Sequence, residues 1–304
     1  MRGSTKEIAA VVLTCGAIFV VGVFYPWWRA QVDRNDDARA DPHHIAGGLY
    51  FVGAPDVTSF LIAGPDGHAL IGSGYENTAH KIADNIAQLG FDVRDVRVLL
   101  ATGGRLDDAG GFAELQRASG AELWANAGAA DAIAAGKSVA IDMGELQATV
   151  FGWVGITDYP AARVDHRVAD GDIVRVGPLT FTAHVMPHAP TCTTWTFAVR
   201  EGTRDFQVVH RCRLEVPANA GDDTANDAGR RADFEQSFRA LRSLPVDIWL
   251  TSQGREYGRY RKFQASLSAA DPVAPFVDRE GYLRAIDDAE ARLRAAVTPP
   301  PSQQ

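Results

Sequence analysis

The chain has 304 residues, 46% of them hydrophobic and 22% charged, with 30 basic and 38 acidic side chains and a formal net charge of −8. So much apolar material supports a large core and excludes disorder throughout, and an acidic balance without any Lys/Arg run excludes neutralisation of a phosphate backbone, so no nucleic-acid partner is expected. The cysteines, Cys15, Cys192 and Cys212, are too few for a disulfide scaffold and lack the C-x-x-C spacing of structural zinc.

Ile8 to Phe24 form an uncharged apolar run between Arg2 and Lys6 on one side and Tyr25, Trp27 and Trp28 on the other, just long enough to cross a bilayer with an aromatic belt. Ala38-Arg39-Ala40 lies well beyond the run rather than directly behind it, so an uncleaved anchor over residues 1–29 is expected in place of a signal peptide. Cys15 reads as a thiol on the face of that helix. The short basic N-terminus belongs in the cytoplasm, which makes the expected arrangement a single pass through the inner membrane with the globular part in the periplasm. A charged tether follows over residues 30–43, then one domain over 44–297, then a loose tail over 298–304.

Within the domain, Leu49 to Val52, Val57 to Ala63 and Ala69 to Ile71 are short β-branched or aromatic runs separated by Gly, Pro and Asp, as in an antiparallel meander. Ile82, Ile86 and Leu89 share one face of a helix from about Asn77 to Leu89, ended by Gly90, and Val96 to Ala101 is an apolar strand. A second strand block comprises Ile173 to Val176, Leu179 to Val185, Thr193 to Val199 and Phe206 to Val209. Ala218 to Gly229 reads as a polar loop, followed by a helix from Phe234 to Leu244, a buried strand at Ile248 to Leu250, and a helix from Arg279 to Val297 with Tyr282, Ile286, Ala289 and Leu293 on one face. Two such blocks, each strands then helix, predict an α/β fold of two packed mixed sheets with helices outside.

The stretch HIAGGLYFVGAPDVTSFLIAGPDGHALIGSGYENTAHKIADNIAQLGFDVRDVRVLLATGGRLDDAGGFAELQRASGAELWA, from His44 to Ala125, resembles the metallo-β-lactamase superfamily, and in particular its third subclass of β-lactamases. VADGDIVRVGPLTFTAH, HAPTCTTWTF, LPVDIWLTSQGREYG and FVDREGYLRAIDDAEARL are similar to that subclass in order and spacing. The resemblance implies a four-layer αβ/βα sandwich over roughly residues 44–297, and two zinc ions held by a histidine-rich H-x-H-x-D-H loop after the strand ending near Ala101.

This chain departs from that pattern. The loop reads Gly103-Gly104-Arg105-Leu106-Asp107-Asp108, so the aspartate persists as Asp107 while both leading histidines and the closing one are replaced. His188 matches the family's next histidine, Gln253 stands where the last one is expected, and Gly72 replaces an aspartate that supports the metal loop. Glycine supplies no ligand, and Arg105 brings a permanent cation toward the place of a dication.

The leading expectation is therefore a membrane-anchored homologue without its dizinc centre, a pseudoenzyme or ligand-binding domain with no cofactor. Arg105 would pair with Asp107 and Asp108 in place of the ion. In a sharper version, Arg105, Asp108, His188 and Gln253 form a pocket for a small anionic ligand, with Trp195 or Tyr257 giving apolar contact. The runner-up is an active hydrolase with one zinc on Asp107, His188 and Cys212, Asp107 or Asp108 orienting the attacking water. A third class is a structural or interaction module at the membrane.

Three fates of Cys212 stay open: free thiol, metal ligand or disulfide. If the strands on either side of Glu201-Gly202-Thr203-Arg204 form a hairpin, Cys192 and Cys212 stand nearly opposite each other, with β-carbons about 4.5–5.5 Å apart, close enough for a bridge after modest adjustment. The remaining histidines carry less: His43 and His44 adjoin the tether, His80 is on the first helix, His166 is in a polar loop, and His184 and His210 are strand residues.

Overall fold

The computed structural model describes residue 16 and residues 40–138, 157–216 and 225–297. The apolar run at 8–24 (Gly16 aside), the tether up to residue 39 and the tail at 298–304 lie outside them; among the described residues no helix is long and apolar enough to cross a membrane.

Two sheets face each other. The first has seven strands in sequence order: β1 (His43–Ala46), β2 (Leu49–Phe51), β3 (Phe60–Gly64), β4 (Gly67–Ile71), β5 (Val96–Leu100), β6 (Glu122–Asn126) and β7 (His166–Val168). β1 to β4 pair antiparallel as a meander, and β4 to β7 pair parallel through helical crossovers. The second sheet is ordered β12-β11-β10-β9-β8, built from β8 (Ile173–Val176), β9 (Leu179–Val185), β10 (Thr193–Glu201), β11 (Arg204–Arg211) and β12 (Ile248–Thr251). β12 joins β11 in parallel after a long helical excursion.

Side-chain alternation sorts each strand between two cores. Phe51, Phe60, Ile62, Ala69, Ile71 and Leu100 point between the sheets, where they meet Phe181, Trp195, Phe197 and Val208. Their neighbours Leu61, Leu70 and Leu99 point outward onto helices α1 (Ala79–Gln88), α3 (Phe112–Ser119) and α4 (Ala127–Ala135), through Ile82, Ile86, Phe112, Leu115 and Ile133. On the other side α5 (Ala225–Ser243) and α7 (Arg279–Val297) cover the second sheet with Phe234, Phe238, Leu241, Tyr282 and Ile286. The expected four-layer αβ/βα sandwich is what these contacts build. Between them lie a four-residue helix, α2 (Leu106–Ala109), and α6 (Arg259–Ser266).

Several expectations change at the level of elements. α5 starts at Ala225, inside the stretch read as a loop, of which residues 218–224 lie outside the described ones. His166 is on β7, not in a loop: its ring stacks on Trp124 at 3.9 Å, a contact that tertiary structure alone supplies. The segment from Val57 contributes an isolated bridge to Gln253, and strand β3 begins only at Phe60.

Candidate functional site

The C-terminal ends of β5, β11 and β12 and the turn between β9 and β10 meet at one rim of the sandwich. Two bonds tie the sheets there: the Thr193 amide donates to the Thr102 carbonyl at 3.0 Å, and the Trp195 indole donates to the Ala101 carbonyl at 2.9 Å. Trp195 is thereby fully buried structure and does not line the site, contrary to the expectation of a ligand contact. Tyr257 is likewise enclosed, among Phe60 and Trp249, and is absent from the cavity wall.

The loop from Thr102 to Asp108 is held by its backbone. The Tyr159 hydroxyl donates to the Gly104 carbonyl at 3.0 Å, the Leu106 amide donates to Ser138 Oγ at 3.0 Å, and Ser73 Oγ donates to the Asp108 carbonyl at 3.0 Å. Gly72, at φ +77, turns the chain so that Ser73 reaches the loop. Support lost with the aspartate at 72 thus comes from its neighbour, although it fixes a backbone rather than a metal ligand. A Cβ on Gly103 would meet Asp108 Oδ2 at 2.9 Å, so a histidine cannot stand there unless Asp108 moves.

The centre of the site is Arg213, a residue on which sequence reasoning placed nothing. Its guanidinium is in contact with the Asp107 carboxylate, donates to Glu215 Oε1 at 3.0 Å, and lies 4.0 Å from Asp108 Oδ1. With its amide oriented by hydrogen bonding, Gln253 accepts from the same guanidinium at 2.7 Å and donates to Glu256 at 3.2 Å. Arg105 flanks the group, 3.5 Å from Asp107 Oδ1 and 3.2 Å from Glu215 Oε2. The expected pairing of Arg105 with the old metal loop is present, but Arg213 is the more deeply placed cation, with 10% of its side chain exposed against 24% for Arg105.

Electrostatics follow from this placement. Burial works against the Arg213 charge, yet Asp108, Asp107 and Glu215 together outweigh it and hold the guanidinium protonated. Asp108 is pushed up to about 6 by burial and by the Asp107 charge, against the pull of Arg213. Burial also lowers His188 to about 4, so its imidazole is neutral at physiological pH. His188 Nδ1 lies 2.9 Å from Ser237 Oγ, but Ser237 is fully buried and donates to the Asp233 carbonyl, so the two are not a nucleophile and its base.

Beside the Arg213 cluster is a cavity of about 60 Å³, lined by Gly103, Arg105, Asp108, His188, Cys192 and Cys212 among others, room for a few waters or a small ligand. Arg105, Asp108 and His188 do share this wall, as expected; Gln253 stands behind Arg213. Cys192 and Cys212 are joined as a disulfide with Cα atoms 5.6 Å apart. The register that predicts their proximity is observed, with Trp195 opposite His210 and Glu201 opposite Arg204.

The residues do not fit the two-zinc centre implied by the resemblance. Of the positions that would carry its ligands, Gly103 has no side chain, Asp107 and Gln253 are committed to a guanidinium, and Asp108 packs into the space beside Gly103. Nor is the single-zinc set of Asp107, His188 and Cys212 assembled. Asp107 faces Arg213, and the group that converges is His188 with Cys192 and Cys212, whose ligand atoms all lie within 4.8 Å of one another. Cys192 thus takes the place expected of Asp107.

Comparison with known proteins gives the same architecture. The family profile described as the metallo-beta-lactamase superfamily matches residues 52–206. The Rm3 metallo-beta-lactamase superposes with a TM-score of 0.78 at 30% identity, covering 88% of this chain and 97% of that one. MEM-A1, a subclass B3 metallo-beta-lactamase from a soil metagenome library, gives 0.73 at 28% identity, covering 86% and 97%. A metallo-beta-lactamase of Cronobacter sakazakii (Enterobacter sakazakii), named for its HARLDQ motif, gives 0.72 at 28%, covering 84% and 97%.

Proposed function

The chain belongs to the metallo-beta-lactamase superfamily, and from that membership we propose that it is a non-hydrolytic member in which the Arg213 guanidinium replaces the two-metal centre, leaving a small pocket for ligand binding. The observation that supports this most is the single cation in contact with Asp107 and Gln253, two positions where the family places metal ligands. A buried guanidinium repels a dication and neutralises the carboxylates that would otherwise attract one.

The HARLDQ motif of the Cronobacter enzyme sharpens which replacements matter. It shares the Arg-Leu-Asp of Arg105-Leu106-Asp107, so Arg105 does not by itself set this chain apart. What differs from that motif is Gly103 for its histidine, Gly104 for its alanine and Asp108 for its glutamine, and of these only the first and last change a potential ligand. Asp108 is the residue that fills the space next to Gly103.

The pocket beside Arg213 carries Arg105 on its wall, and that guanidinium is the group that would meet a small anion such as a carboxylate. We further propose that residues 8–24 hold the domain at the inner membrane, facing the periplasm; the apolar run and its basic, aromatic flanks support this. The test of function is hydrolysis of the β-lactam nitrocefin by the full-length, oxidised protein in detergent, with and without added zinc. No turnover above background is expected. Turnover abolished by a chelator would overturn the proposal.

A further inference from the structure

Ser237 has one proton, and it goes to the Asp233 carbonyl at 2.9 Å. Its oxygen accepts from the His188 amide at 3.2 Å and lies 2.9 Å from His188 Nδ1. With the imidazole proton on Nδ1, where the Ser237 oxygen can accept it, Nε2 is the nitrogen that can bind a cation. This nitrogen is 3.6 Å from Cys192 Sγ and 3.0 Å from the Arg213 carbonyl oxygen. Nε2 and the two sulfurs converge, the ligand atoms of His188, Cys192 and Cys212 all lying within 4.8 Å of one another. A cation with affinity for nitrogen and sulfur satisfies such a set, and an imidazole whose other nitrogen is anchored to a hydroxyl is the usual form of a metal-bound histidine.

Access is provided from the cavity, whose wall includes His188 and both cysteines. The two thiols cannot serve at once as a bridge and as ligands. We propose that His188, Cys192 and Cys212 form a redox-gated site for one thiophilic d10 ion of the zinc type, closed as a disulfide when oxidised and opened when a dithiol reduces it. The dithiol gives up two electrons and two protons and becomes a disulfide, while the Cys192–Cys212 bond breaks to two thiols. Zinc then displaces both thiol protons to solvent and takes two thiolates and the Nε2 lone pair, leaving its fourth position to water or the Arg213 carbonyl. This site shares the His188 position with the two-metal centre of the family but is otherwise built differently: it uses Cys192, which has no counterpart in the H-x-H-x-D-H pattern, and it needs neither Asp107 nor Gln253. It does not rest on the absence of hydrolysis.

The experiment uses the full-length Cys15→Ser protein in detergent, so that only the paired cysteines remain. One sample is kept oxidised. The other is reduced with a tertiary phosphine, which takes the oxygen of a water to become the phosphine oxide, and is then desalted without oxygen. Both are titrated with cobalt(II) as a spectroscopic stand-in for zinc, followed by zinc competition and elemental analysis. Expected are one cobalt per reduced chain with a sulfur-to-cobalt charge-transfer band in the near ultraviolet, displaced by zinc, and none in the oxidised chain. Cys192→Ser and Cys212→Ser should each abolish the band, and Ser237→Ala should keep it with affinity weakened about 10–100-fold. A reduced chain that binds no cobalt, binding without the charge-transfer band, or an undiminished band in Cys192→Ser would each overturn the site. Nitrocefin turnover plays no part in these readouts, so failure here and failure of the proposed function are told apart.

Discussion

Replacing Arg213 with methionine keeps most of the side-chain volume and removes only the cation. The structure sets the size of the effect. At an effective dielectric constant near 20, a charge 4.0 Å away, the distance to Asp108, attracts with about 4 kcal/mol, and the closer Asp107 contributes somewhat more. Glu215 is 37% exposed and its pair adds less than about 1 kcal/mol. Releasing the guanidinium from burial returns several kcal/mol, which leaves a net loss of about 3–5 kcal/mol, the range for a buried pair deprived of one partner. The loss should depend on pH. Asp108 stands at about 6 with Arg213 among the groups that hold it down, so at pH 8 the variant must bury an unpaired carboxylate or take up a proton, whereas at pH 5 that carboxyl is mostly protonated with or without Arg213. Urea unfolding of Arg213→Met at the two pH values is the assay, with the larger deficit expected at pH 8. A deficit below about 1 kcal/mol, or one equal at both pH values, would show that Arg213 does not neutralise this cluster. Adding Asp107→Asn to the variant should recover part of the loss, because the two residues are in contact.

Other consequences follow from the same contacts. Because the Asp108 carboxyl is raised, the folded state holds its proton more tightly than the unfolded chain, and this residue costs stability as pH climbs from about 4 through about 6; Asp108→Asn should therefore stabilise at pH 8 and change little at pH 4, read by thermal unfolding. His210 behaves oppositely. It is fully buried with neither ring nitrogen bonded to a side chain partner, and burial lowers it to about 3, so the unfolded chain gains its proton first and stability falls as pH drops below about 6.5. His210→Leu should flatten that acid limb by at least about 1 kcal/mol between pH 7 and pH 5, and an unchanged limb would place the loss elsewhere. Reducing the Cys192–Cys212 bridge, which closes a loop of sequence separation 20, should cost about 3 kcal/mol in metal-free buffer, measured against the Cys15→Ser parent. Tyr159→Phe removes the bond to the Gly104 carbonyl and should cost about 1 kcal/mol, with faster amide exchange in residues 103–108 as its local signature.

Much of the scaffold is written locally. β8, β9 and α7 have the limits that their apolar periods predict, because burial on one face imposes a period of two or 3.6 on neighbours in the chain. The β10–β11 register is legible for the same reason: a turn at residues 201–204 determines every pair above it, down to the two cysteines. The four-residue elements β1 and α2 escape such reading, since four residues hold too little of any period, and among the described residues β7 is joined to the sheet only by its partner β6.

The sequence by itself determined the family, the layered fold, the missing histidines and the nearness of Cys192 to Cys212, while their bond was decided by the tertiary structure. Which charge fills the site was decided by tertiary structure alone. Arg213 is 106 residues from Asp107, in a segment where alternating charged and apolar residues read as an ordinary strand end. Trp195 and Tyr257 are aromatic residues near the right motifs, yet both are consumed by the core. The physical reason is one of range: periodicity records which face of an element is buried, whereas the pairing of a buried cation with its carboxylates depends on where two sheets bring their loop ends together, and no pattern along the chain encodes that distance.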